Sequence, residues 1–243
     1  NLVTLALLPF AKGISSKELF SRPLHLWYDF FCCPQLSDSG EELGKAIDSI
    51  PSYVLRSRFF IALFPLVQNA SERQFFSPSS WADRGWCRLE RAMRDLSNHP
   101  SYIVVKSEFC VEAVGCHLTA FGGRPPGEGM FTVPADRAKL APVVQKALTW
   151  TLLRSLRVRD LVRYRIVLNS QNVFLRGFPA EPVTEIVPGF EPLPGADAES
   201  NLVAAFLYQN GFTKVRSVDA AGCSPLCYAA MNGDPVLIDA LLA

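Results

Sequence analysis

The stretch DAAGCSPLCYAAMNG, residues 219–233, followed by Val236, Ile238, Leu241 and Leu242, decides how the end of this chain folds. Asp219 and Gly222 read as a turn. Ser224 stands where a side-chain oxygen can cap a helix, and Pro225 falls at the first helical position, where its missing N–H is not needed. Leu226 begins the apolar side of that helix. Ala229 and Ala230 are small enough to let a neighbouring element approach closely, and Gly233 permits a left-handed exit. Leu241 and Leu242 then close a second helix. The product is a pair of short helices joined by a glycine turn.

Working outward, residues 202–218 (LVAAFLYQNGFTKVRSV) read as an earlier helix of the same kind, with Gly211 at its exit. This spacing resembles the ankyrin repeat: turn with glycine, a Thr-Pro-Leu-His helix start, paired alanines, glycine exit and closing leucines. The residues that carry the resemblance are Asp219, Gly222, Ser224, Pro225, Leu226, Ala229, Ala230, Gly233, Leu241 and Leu242. Cys227 stands where the family usually has histidine. The match covers about one and a half repeats, and arrays of this kind need roughly three to bury their core, so further repeats are expected after Ala243. The resemblance implies recognition of a protein partner.

Composition narrows the rest. Nearly half of the 243 residues are apolar and 19% are charged, as in folded globular chains. Twenty-four basic residues almost balance 23 acidic ones, so no specific nucleic-acid binding is expected. Seven cysteines, an odd number, read as thiols of a reducing, cytoplasmic compartment. No CxxC pair is present and the three histidines are scattered, so no metal is expected. Cys116 beside His117 reads as local packing. The apolar runs at 2–8 and 59–67 are too short to span a bilayer, and no basic stretch precedes the first as a signal peptide would require.

Before the repeats, strands alternate with helices. Residues 24–33 (LHLWYDFFCC) read as a buried strand, 59–64 as a second and 102–106 (YIVVK) as a third. Between them lie a helix around Leu43, Ile47, Ile50 and Val54, which Pro51 is expected to kink or divide, a polar loop at 68–82, and a helix from Ser80 to about Leu96. Residues 122–129 are a turn, and 136–150 form another helix. The fold class expected is α/β, with a flavodoxin-like parallel sheet domain at 1–150 and α-helical ankyrin repeats at 201–243. Residues 151–200 are read as a connector, opening with a basic helix carrying Arg154, Arg157, Arg159, Arg163, Arg165 and Arg176. Five prolines within 178–198 then make a semi-rigid linker.

Two motifs in the first domain carry a further resemblance. WYDFFCCPQ at 27–35, followed by RGWCRLE at 84–90, is similar to the Trp-x-Asp-x-x-Cys-x-x-Gln and Arg-x-Trp patterns of the HET (heterokaryon-incompatibility) domain. The second motif also resembles the Trp-Cys-x-x-Glu helix of TIR domains. The glycine-containing first strand of TIR domains has no counterpart in residues 1–21. This TIR/HET-like resemblance implies a signalling domain. It also implies, as an alternative, an NAD hydrolase in which Glu90 acts on the ribose and Asp29 is a second polar group.

Helix geometry bears on Glu90 independently. Trp86, Leu89, Met93 and Leu96 share one face, and Glu90 lies about 40° from Trp86, where a carboxylate loses water. Arg84, Arg88, Arg91 and Arg94 lie around the opposite side. Two structural roles compete, an ion pair of Glu90 with Arg94 one turn on and a loop cap by Asp29. Cys32 and Cys33 read as packing residues, since no histidine stands ready to activate them. The leading expectation is a protein-interaction or scaffold molecule that needs no cofactor, with NAD entering only under the hydrolase alternative.

Overall fold

The computed structural model describes residues 17, 20–33, 40–63, 65–69, 74–114 and 124–243. The apolar run at 2–8, the Cys116–His117 pair and the start of the glycine-rich turn lie outside the described residues. The chain divides into two compact units, Asn1–Val143 and Val144–Ala243.

The first unit is mixed α/β. Its elements are α1 (Asp29–Cys32), α2 (Gly40–Arg56), β1 (Ile61–Leu63), β2 (Val67–Asn69), β3 (Gln74–Phe76), α3 (Pro78–Asp83), α4 (Gly85–Leu96), β4 (Tyr102–Ser107) and β5 (Cys110–Val114). β4 is the middle strand of a small sheet, parallel to β1 and antiparallel to β5. β2 and β3 pair separately as an antiparallel hairpin within the segment read as a polar loop. Tyr102 and Val104 are buried along β4, and Leu89, Met93 and Leu96 of α4 are fully buried. α2 packs on α4, and Ile50 and Val54 of α2 are buried.

Three local expectations are corrected here. The run at 24–33 forms one helical turn at Asp29–Cys32, in which the Cys32 amide donates to the Tyr28 carbonyl at 2.8 Å. Leu26 and Phe31 are more than 80% exposed, so the aromatics lack the cover that a buried strand needs. α2 runs unbroken through Pro51, which is itself buried. The helix near Ser80 is two helices. Ser77 rather than Ser80 caps the first, in a reciprocal box with Ser80, and Arg84 breaks the ladder before α4 begins.

The second unit is helical. Helix α5 (Asp136–Arg157) begins in the first unit and continues into the second. It is followed by α6 (Leu161–Asn169), α7 (Gln171–Leu175), α8 (Ala198–Asn210), α9 (Pro225–Asn232) and α10 (Pro235–Leu242). The single basic helix expected from 151 onward is therefore the end of α5 and two further helices. α6 contacts α8, and α9 contacts α10. These pairs meet with α6 against α9 and α8 against α10. Phe206, Phe212, Tyr228, Ala229, Leu237 and Leu241 form the core between them.

Glycine does what the turns require. Gly211 and Gly233 end α8 and α9 at φ of 64° and 78°, a region costly for a residue with a Cβ. Residues 178–197 hold neither helix nor strand yet are tied down. Gln171 exchanges hydrogen bonds with the main chain of Val183, and the Gln209 side chain does so with Ile186 and Val187. Gln145 and Tyr208 also donate to the Glu181 and Pro188 carbonyls, so the proline-rich connector is a strap fastened by side chains along its length.

Candidate functional site

The site suggested by sequence lies on the first turns of α4. The N-terminus of α4 is held in place by backbone bonds: the Gly85 amide donates to the Met130 carbonyl at 2.7 Å, and the Met130 amide to the Asp83 carbonyl at 2.8 Å. Gly129 lies against the Gly85 backbone and Gly85 against the Phe131 ring, so neither has room for a Cβ. Arg88 clamps the same junction, donating through Nε to the Ala82 carbonyl at 2.6 Å and through Nη1 to the Pro125 carbonyl at 3.3 Å. Asp83 also pairs with Arg88 and Arg124.

This frame brings Asp29, Arg84, Cys87 and Glu90 within electrostatic reach of one another. Glu90 is partly buried. Burial first, and the Asp29 carboxylate second, raise its carboxyl from 4.5 to about 7, while Arg84 pulls the other way. The two residues singled out from sequence are therefore neighbours in electrostatic terms, one on α1 and one on α4. A carboxyl poised near neutrality can exchange a proton at physiological pH. The Cys87 thiol is pushed up to about 12 by burial and by Glu90, which keeps it protonated and unsuited to nucleophilic attack.

Of the arginines placed opposite the apolar face of α4, Arg88 and Arg94 are buried. Arg94 is buried, and its three nitrogens donate to the carbonyls of Ser101, Ser57 and Arg58 at 2.6–2.9 Å. Its guanidinium thus binds the chain entering β1 and β4. Trp86 donates through its indole to Asp136 at 3.4 Å.

In the second unit the motif residues gather around Asp219. One carboxylate oxygen accepts the amides of Ala221 and Cys223 at 2.9 and 3.0 Å, shaping the turn that Gly222 completes at φ 75°. The other accepts Arg165 Nη1 at 3.1 Å and the Tyr228 hydroxyl at 2.5 Å. Burial works against the charge, but the bonds from Tyr228, the two amides and Arg165 outweigh it and hold the carboxyl below its ordinary value. Arg165 also donates to the carbonyls of Asn210 and Gly211 and lies 4.1 Å from the centre of the Phe212 ring. By sequence Arg165 is one of six arginines on a basic connecting helix, with no partner named. The only signal that could have found it is the Asp219–Tyr228 pair, which asks for a cation.

The remaining motif positions divide by role. Pro225 opens α9 and is buried, Ala229 is fully buried against the neighbouring pair, and Leu241 faces the core. Leu226 is partly buried, while Ala230 and Leu242 are exposed, so close approach rests on Ala229 alone. Ser224 occupies the cap position without a side-chain cap bond, its hydroxyl lying 3.5 Å from Cys227 Sγ. Asp234 caps α10 by accepting the amides of Val236 and Leu237.

No family model, curated protein or solved structure matches the chain. Among the described residues, no helix is long and apolar enough to cross a membrane, and no three His, Cys, Asp or Glu side chains gather as metal ligands would.

Proposed function

We propose that the chain is a protein-interaction molecule, in which ankyrin-like helical pairs recognise a partner and a flavodoxin-like, TIR/HET-like domain signals or assembles in a reducing, cytoplasmic setting. The observation that carries the reading is the stacking of two helical pairs, α6 with α8 and α9 with α10, across a shared core. Left-handed glycine exits, proline at the first helical position and a small buried alanine at the contact support it, because each serves close parallel stacking of short helices. Such a stack leaves one side of its helices open to another macromolecule.

The test is a photo-crosslinking residue placed at exposed Ala230 and, as a control, at exposed Glu185 in the strap. A discrete set of protein adducts from position 230, absent from position 185, is expected. Identical or absent adducts from both positions would refute the reading.

A second reading is favoured by the Glu90 carboxyl, raised to about 7 beside Asp29. Under it the first unit cleaves the nicotinamide bond of NAD, with Glu90 acting on the ribose. Purified chain would then consume NAD, and Glu90→Ala would stop this with the fold intact. Unchanged NAD after long incubation at high protein concentration removes that alternative.

A further inference from the structure

The end of α5 carries a surface that nothing in the stack uses. Residues 144–159 contain Lys146, Arg154, Arg157 and Arg159 and no acidic residue, in a chain whose net charge is only +1. Among the described residues no carboxylate pairs with any of these four cations. Interleaved with them, Trp150, Leu153 and Val158 are 47%, 53% and 60% exposed. Residues 150, 153, 154 and 157 fall at helical spacing, so the apolar and cationic side chains share one face. Arg154 lies 5.3 Å from the Trp150 ring centre, which holds the indole against solvent rather than in the core.

Arg159, two residues past the end of α5, lines an open cavity of about 520 Å³ whose lining also includes Asp160, Leu161, Phe212 and Val218. Arg159 is the described non-glycine residue with left-handed backbone, at φ 59°, a conformation that glycine would adopt without strain. Exposed Lys214 and Arg216 sit in the loop between Thr213 and Ser217, which also line the cavity. Arg165 and Asp219 in its lining are bonded to each other, and Asp160 there accepts the Arg163 amide, so the exposed cations Arg159, Lys214 and Arg216 outnumber the one remaining carboxylate at the opening.

We infer that this strip and cavity form a docking site for an acidic peptide segment of a protein partner, with a bulky apolar side chain of that segment seated in the cavity. Charge complementarity selects the acidic partner, and the recess beside the strip, which a peptide side chain can enter and a flat bilayer cannot fill, selects a peptide. The inference rests on the protein-interaction reading and names the chemistry of the partner.

The probe is a fluorescein-labelled glutamate-rich peptide carrying one leucine and one phenylalanine, followed by anisotropy with the intact chain. Saturable binding is expected, weakened by salt, and lost at least about tenfold in the Arg157→Glu/Arg159→Glu and Trp150→Ala variants. These residues are exposed, and circular dichroism checks that the fold is kept. Binding that the variants leave unchanged, or no binding of the peptide, overturns the inference. So does capture of the chain by phosphatidylserine vesicles with the peptide ignored. Adducts from position 230 without peptide binding would leave the interaction reading standing and remove only this site.

Discussion

Asp219 and Glu90 are two carboxylates that the fold drives in opposite directions. Asp219 gains more from its partners than it loses to burial, so its folded value is lower than the unfolded 3.8. Its contribution to stability is present above that unfolded value and lost as pH falls through the folded one. Asp219→Ala strands the nearly buried Arg165 guanidinium and the Tyr228 hydroxyl, and is expected to cost about 3 to 5 kcal/mol at neutral pH in urea unfolding. Glu90 has the reverse sign. Between 4.5 and about 7 the folded state holds a proton that the unfolded state has released, so stability falls as pH rises through that window. Glu90→Gln removes this effect. The variant and the parent should match near pH 4.5, and the variant should be the more stable by on the order of 2 kcal/mol above pH 7, as thermal melts across pH would report. Parallel profiles would show that the carboxyl is not perturbed.

Among the elements, α9 and α10 separate an apparent cap from a working one. Ser224 and Asp234 are both cap residues by type and position. Only Asp234 makes the cap bonds, to Val236 and Leu237. Asp234→Ala is therefore expected to lower stability by about 1 kcal/mol, and Ser224→Ala to leave it nearly unchanged, as paired denaturant titrations would show. The expected helix pair and both glycine exits were legible because caps, prolines and glycines act within a few residues of themselves. The run at 24–33 was not legible in the same way. An aromatic-rich apolar run fits a strand or a helix equally until its neighbours are known, and here Asp29 begins a helical turn with Leu26 and Phe31 left exposed.

Across the whole molecule, the stack presents an apolar edge. Val236 and Leu242 of α10 are 58% and 65% exposed, and under the proposed ankyrin-like reading an added repeat would cover them. Fusing a consensus ankyrin repeat after Ala243 should raise the melting temperature of the second unit, since stability in such arrays grows with each nearest-neighbour contact. A fusion that melts as two unrelated transitions would argue against ankyrin-like stacking. The sequence alone determined the paired helices of the second unit, their punctuation, and in the first unit β1, β4 and the helix before β4, because those features depend on residues close along the chain. Tertiary structure decided which charges go inside. Arg94 reaches back to carbonyls at 57 and 58, and Arg165 meets Asp219 from a different helix. It also decided that Glu90 feels Asp29. Burial of a charge depends on partners far away in sequence, and pattern along the chain carries no record of them.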